Sequence, residues 1–329
     1  MLSSSARIAI VRLSALGDIV HSAVVLQFIR EHFPGTTVEW IAEEAFVPLL
    51  RRARELDAVH AVPLKRIKKE KNLALLTQSV RTLRTLGPYD RIIDMQGLLK
   101  SAVVARLTGK NIHGFDAASA REGLAARLYA THSAIAYETP IVERNCALVA
   151  DALHCRVDRE ALLHKAPLFR IGDKPSSLPE RYIAVVVGAS WATKRYPPAR
   201  LAELCDRLPL PAVLVWGSEA EKRDAQTVAD ASKNARLAPP LSLEKLCDLV
   251  GHAALTLGGD TGPVHLAWAL NRPSVVLFGP TTPRMMCQTP QNIAIESDSK
   301  VDLRRIDKTD ESIGTISPER IADTVRELL

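Results

Sequence analysis

Aromatic residues are scarce in this chain. Tyr, Phe and Trp supply only 5% of its 329 residues, and none falls between Phe46 and Tyr89. Cysteine is also sparse: Cys146, Cys155, Cys205, Cys247 and Cys287 lie far apart with no Cys-x-x-Cys pair. That distribution fits reduced core thiols and offers neither a disulfide framework nor a readable metal site. Long apolar runs are missing, since no window approaches the roughly 18 unbroken apolar residues of a spanning helix. The beginning, MLSSSARIAIVRL, runs straight into a strand pattern instead of a secretory signal. A cytosolic location is expected. The glycine-rich fingerprint of dinucleotide oxidoreductases, GxGxxG after the first strand, is absent as well, because LSALGDIVHS holds only Gly17.

What is present is a chain with 47% hydrophobic residues, long enough for two domains at roughly 100–200 residues each. Its net charge of +6 is unevenly spread. From Arg51 to Arg84, ten Lys or Arg face only Glu55, Asp57 and Glu70, a local excess of seven. Two readings stand side by side: a solvated helix face, or a patch for a polyanion such as an acidic membrane surface or a phosphorylated substrate. Nucleic acid is disfavoured, because no aromatic side chain lies beside this charge for bases to stack on.

Short Val-, Ile- and Leu-rich runs alternate with longer amphipathic stretches, the pattern of parallel sheets with crossover helices. Strands are expected at Arg7–Leu13, Thr37–Ala42, Ala58–Leu64, Asp90–Met95 and Asn111–Phe115, with helices at Ile19–Phe33 and Asn72–Leu86. The segment KAPLFRIGDKPSSLPER, Lys165 to Arg181, is rich in Pro and polar residues and reads as a linker. Alternation resumes at Tyr182–Val187, Ala212–Trp216, Leu255–Gly258, Ser274–Phe278 and Asn292–Glu296. The expected α/β architecture is therefore two doubly wound domains facing each other across a cleft. Ligands of such sheets sit beyond the carboxyl ends of the strands, so the loops there are where function should be sought.

Four of those loops carry chemistry. In LSALGDIVHS, Asp18 is a candidate N-cap and equally a candidate general base for an incoming hydroxyl; His21 reads as well as a surface or capping residue. In VVVGASWATKRYPPARL, Gly188, Ala189 and Ser190 form a small-residue loop whose amides can approach an anion, and Lys194 adds a point charge. In LGGDTGPVHLAWAL, Gly259 allows a turn, Thr261 and Gly262 offer amides, and Pro263 suits the first position of a helix. Such a helix start favours a phosphate. Asp260 would repel that phosphate, so it is better suited to sugar hydroxyls or to orienting its neighbours. In VWGSEAEKRDA, Glu221 at a helix start can accept bonds from both ribose hydroxyls, a weak signal taken alone. The plain alternatives are a ligand-free helix cap for Asp18 and for the Asp260–Thr261 turn, and a solubilising surface charge for Lys194.

Taken together and in order, LSALGDIVHS, DMQGLLKSA, GFDAASAREGLAARLY, GASWATKRYP and GGDTGPVHLAWALNRPSVVLFGPT resemble the ADP-heptose:lipopolysaccharide heptosyltransferases of glycosyltransferase family 9. The QGLLKS and SARE segments resemble most the heptosyltransferase I branch, which adds the first heptose to the Kdo of Kdo2-lipid A. The resemblance implies a GT-B fold: an acceptor domain over 1–165, a linker over 166–181, a nucleotide-sugar domain over 182–310, and a final helix over 311–329 returning to the first domain. It implies inverting transfer of L-glycero-D-manno-heptose from ADP-heptose, with no metal and no cofactor. By position, Asp18 matches the general base. Lys194 matches a donor-contacting lysine, Thr261, Gly262 and His265 the donor phosphate region with Ser190 nearby, and Asp260 lies nearer the heptose. Glu221 matches the ribose carboxylate. Leu241 stands near the adenine where the family often has Met. Lys100 and Arg121 match basic residues of the acceptor side, and Lys65, Arg66, Lys68 and Lys69 fall where the family binds phosphorylated lipid A sugars. A monomer, peripherally associated with the cytoplasmic face of an anionic inner membrane, is the implied state. The rival readings are a later-acting core heptosyltransferase, a sugar-nucleotide epimerase of the same fold, a dehydrogenase, disfavoured by the missing glycines, and an exported two-lobed binding protein.

Overall fold

Runs such as Arg-Ile-Ala-Ile-Val and Leu-Thr-Leu-Gly-Gly are too short and too uniformly apolar for amphipathic helices, and they become inner strands of two parallel sheets. The computed structural model describes residues 5–303 and 305–329. The chain divides into two compact units, Met1–Arg170 and Ile171–Leu329.

The first unit holds β1 (Arg7–Val11), β2 (Thr37–Glu43), β3 (Ala58–Val62), β4 (Arg91–Asp94), β5 (Ile112–Phe115) and β6 (Thr131–Ser133). They form one sheet in the order β3-β2-β1-β4-β5-β6, parallel throughout. Its helices are α1 (Leu16–Ser22), α2 (Val24–His32), α3 (Val47–Leu50), α4 (Leu64–Glu70), α5 (Leu73–Thr85), α6 (Leu99–Thr108), α7 (Ile141–Leu153) and α8 (Arg159–Leu163). One core of this unit gathers Val11, Leu13 and Ile41 with Ile92, Ile112 and Tyr129.

The second unit repeats the plan with β7 (Ile183–Val186), β8 (Ala212–Val215), β9 (Ala235–Leu237), β10 (Leu255–Gly259), β11 (Ser274–Phe278) and β12 (Asn292–Glu296), in the order β12-β11-β10-β7-β8-β9. Its helices are α9 (Pro198–Arg207), α10 (Glu219–Ala231), α11 (Leu243–His252), α12 (Gly262–Ala269) and α13 (Pro318–Leu328). Each sheet thus has the strand order of a dinucleotide-binding fold, with its reversal point between β1 and β4 in one unit and between β7 and β10 in the other.

The terminal helix α13 packs on α9 and β11 of the second unit. Ile321, Ala322 and Val325 on its buried face belong to that unit's core, which the short polar-faced helix must find to bury its apolar stripe. The segment expected as one helix over Ile19–Phe33 is two, α1 and α2, meeting at Ala23. Two strands were not anticipated: β6 and β9 are three-residue edge strands, too short to show a period. Among the described residues, no helix is long and apolar enough to cross a membrane.

Candidate active site

In the second unit, the stretch from β10 into α12 and the loop after β7 converge. Asp260 is buried at the end of β10, directly before the N-cap residue Thr261, and α12 begins at Gly262. Pro263 is therefore the second helical residue, one place later than its spacing suggested, and still where a missing N–H costs no helical bond. The first amides of a helix have no intrahelical partner and carry its positive dipole end. Lys194 Nζ lies 2.5 Å from Asp260 Oδ2, and only 12% of the lysine side chain is exposed. This is a built ion pair, where a solubilising surface lysine was the plain alternative.

His265, one turn into α12, lies with Nε2 3.0 Å from Asp260 Oδ1. Burial pushes the Asp260 pKa up, but the His265 hydrogen bond and the Lys194 charge outweigh it and hold the carboxyl well below the usual range. An ionised carboxylate only accepts, so His265 Nε2 is the donor. Gly259 earns its place by proximity more than by turning: a Cβ there would meet the Lys194 carbonyl oxygen at 2.1 Å. Sequence reasoning missed a neighbour. The Lys194 and Lys308 ammoniums lie 4.8 and 5.0 Å from the Trp191 ring centroid, and Thr193 Oγ1 donates to the Lys308 carbonyl.

Glu221 has a structural role that its spacing alone did not suggest. Its Oε2 accepts from the Gly217 and Ser218 amides at 2.8 and 3.0 Å, while Ser218 Oγ accepts from the Glu221 amide, a capping box that starts α10. Oε1 faces Arg195 at 3.9 Å, and Arg195 also reaches Asp224 and the Ala189 carbonyl. Gly188 lies close beside it, and a Cβ there would press on the Glu221 carboxyl, which would have to shift from its cap to make room. Arg195 thus links the Glu221 loop to the chain next to Lys194. Ser190 is exposed and Leu241 half-buried, on loops following β7 and β9.

In the first unit, Asp18 is the third residue of α1 and not its N-cap, which is Ala15. The reason is that Asp18 Oδ2 reaches back to accept the Ala15 amide at 3.1 Å, doing the work of a cap from inside the helix. Asp18 Oδ1 pairs with Arg12 Nη2 at 2.9 Å, leaving the Asp18 side chain 28% exposed. Each carboxylate oxygen keeps a second lone pair for an incoming proton. Arg12 is buried and donates through Nη1 to the Met95 carbonyl. That loop is fixed in turn: Gln96 Oε1 accepts the Leu13 amide, and Asp94 accepts from the Gln96 amide, Ser101 Oγ and the Tyr129 hydroxyl. Burial pushes the Asp94 carboxyl pKa up against those bonds. Arg12 was overlooked, though a cation inside RIAIVRL was a readable sign.

The basic residues sit on the edge of the first unit beyond β2 and β3. Lys65, Arg66, Lys68 and Lys69 are exposed on α4. Lys65 lies over the Phe46 ring at 5.6 Å, and its amide bonds Glu43; Arg66 faces Glu44 at 3.3 Å. Glu43, a second overlooked residue, is buried, and burial raises its carboxyl pKa despite the Lys65 amide, the Lys65 charge and a more distant Lys100. Lys100 stands exposed at the start of α6, and Arg121 is exposed before the 3-10 turn Gly123–Leu128.

Two sheets of dinucleotide-fold order, with a carboxylate at one reversal point and a lysine-flanked helix start at the other, are the architecture of the GT-B fold. The glycosyltransferase family 9 (heptosyltransferase) model matches residues 77–308. Lipopolysaccharide heptosyltransferase 1 of Campylobacter coli is 34% identical over 98% of each chain. The Pseudomonas aeruginosa protein of the same name is 33% identical over 84% of this chain and 79% of its own. In fold, the chain is similar to E. coli heptosyltransferase WaaC with ADP, at TM-score 0.82 and 24% identity over 98% of this chain and all of that one (100%). The chain belongs to glycosyltransferase family 9.

Proposed function

We propose that this enzyme transfers L-glycero-D-manno-heptose from ADP-heptose to the Kdo of Kdo2-lipid A, with inversion and without a metal ion or cofactor, working as a monomer at the cytoplasmic face of the inner membrane. The observation that carries the donor half is the Lys194–Asp260–His265 cluster at the start of α12. The relatives' names, lipopolysaccharide heptosyltransferase 1, support the acceptor half.

In this reading Asp18 takes the proton of the acceptor hydroxyl as its oxygen bonds to the anomeric carbon, and the bond from that carbon to the ADP phosphate oxygen breaks on the opposite face. Negative charge gathers on the departing diphosphate. The Thr261 and Gly262 amides and Lys194 stabilise it without reorganising, which is why no metal ion is invoked. Asp260 then holds Lys194 and His265 in place and offers its remaining lone pairs to heptose hydroxyls. Glu221 serves the ribose through Oε1, since Oε2 is committed to the α10 cap. Ser190 and Leu241 border the donor. Lys65, Arg66, Lys68, Lys69, Lys100 and Arg121 bind the acceptor's phosphates and sugars.

The test is to incubate purified protein with ADP-heptose, with and without Kdo2-lipid A, and to follow ADP release and product mass. ADP release that requires the acceptor, with one added heptose, supports the proposal. Transfer only to acceptors that already carry heptose would replace it with a later core step, and rearranged donor without acceptor would replace it with epimerisation.

A further inference from the structure

Two consecutive helices of the first unit are little buried: α4 has no fully buried residue and α5 only Leu83. Large apolar side chains left in water are few, and they are not scattered. Five of the eight among the described residues are Leu73 (76% exposed) and Leu76 on α5, Leu99 and Val103 on α6, and Leu124 (56% exposed) on the turn Gly123–Leu128. These elements adjoin, since α5 packs on α6 and α6 on that turn. Three of these five have an exposed cation close in sequence: Lys71 before Leu73, Lys100 beside Leu99, and Arg121 before Leu124.

We propose that this surface is a membrane-insertion patch, with Leu73, Leu76, Leu99, Val103 and Leu124 entering the headgroup and acyl boundary of an anionic bilayer while the surrounding cations pair with lipid phosphates. The inference rests on the proposed function only for the identity of the lipid-borne acceptor. The charge pattern chooses the occupant. Protein interfaces are depleted in lysine, whereas exposed leucines ringed by Lys and Arg match what an interfacial segment needs. Attraction to an anionic leaflet grows with each cation near the surface and decays within a Debye length. Apolar insertion does not decay that way, so the two contributions separate with salt.

The experiment compares the full chain with the variant Leu73→Ser/Leu76→Ser/Leu124→Ser by co-sedimentation with vesicles of phosphatidylethanolamine and phosphatidylglycerol, free of acceptor, at low salt and at 0.5 M salt. Because these side chains are exposed, the variant is expected to keep its melting temperature and its affinity for ADP. The expected result is a loss of vesicle partitioning of tenfold or more, with residual binding of the parent at high salt that the variant lacks. Equal partitioning of the two proteins, or a parent that does not bind these vesicles, overturns the proposal. A difference appearing only when acylated acceptor is added to the vesicles also overturns it, assigning the surface to the acceptor's own chains. A parallel transfer assay with a deacylated, water-soluble acceptor isolates the rest: parent and variant are expected to turn over equally. If neither transfers heptose, the functional reading fails while the vesicle result stands.

Discussion

Asp260 in the second unit commits both of its carboxylate oxygens, one to a lysine and the other to a histidine. Replacing it by Asn leaves Lys194 without its partner in a largely buried setting. Breaking such a pair costs about 3–5 kcal/mol. Its sign with pH follows from a folded-state pKa held below the ordinary carboxylate value. The stabilisation is complete above pH of about 4, the value in an unfolded chain, and is lost as pH falls toward the lower folded value. The melting temperature of Asp260→Asn should therefore lie well below that of the parent at pH 7, and the gap should narrow below pH of about 4; an unchanged gap would assign the cost to packing. Asp260 and Lys194 were individually legible, each standing out in a glycine-rich loop after a strand. Their mutual contact was not, because 66 residues separate them and only the β7–β10 pairing brings them together. Arg12 escaped notice for a similar reason: it lies just beyond an apolar strand, and its role depends on the distant Met95 carbonyl.

At the scale of elements, the close approach of β10 to the Lys194 loop is the feature most open to test. The Cβ introduced by Gly259→Ala would meet a backbone oxygen at 2.1 Å, which cannot rotate away as a side chain can. Overpacking of this kind costs typically 1–3 kcal/mol, so a lowered melting temperature and weaker ADP binding are expected together, by thermal shift and calorimetry. The helix start at Glu221 separates two roles. Gln preserves a capping box, so Glu221→Gln should leave stability nearly unchanged. A fall in ADP affinity beside that unchanged stability indicates ribose recognition; unchanged affinity leaves only the cap. Ten of the strands were legible because buried parallel strands read as continuous Val, Ile and Leu runs. The edge strands β6 and β9 carry three residues each and no such run. The capping of α1 was misplaced for a related reason: a carboxylate at the third helical position and one at the cap look alike in sequence, and only the Ala15 amide tells them apart.

For the molecule as a whole, the charge excess on α4 and the lysine-flanked start of α12 belong to separate units, so they should fail independently. Replacing Lys65, Arg66, Lys68 and Lys69 with Ala is expected to weaken use of a phosphorylated acceptor by tenfold or more and to flatten its salt dependence, with ADP affinity unchanged. Equal loss of both would contradict the division of labour. Sequence spacing conveyed the doubly wound architecture, because the alternation of strands and helices is a local property. It did not convey where α13 docks, because an amphipathic stripe specifies that a helix must be covered and leaves its cover unnamed. Catalysis in the proposed scheme turns on the Asp18 carboxylate, and the decisive measurement is the turnover number of Asp18→Asn with ADP-heptose and Kdo2-lipid A, taken beside its ADP affinity. General-base catalysis contributes roughly 10²–10⁴-fold, so turnover should fall by that order while ADP binds as in the parent; turnover within threefold of the parent would contradict the assignment.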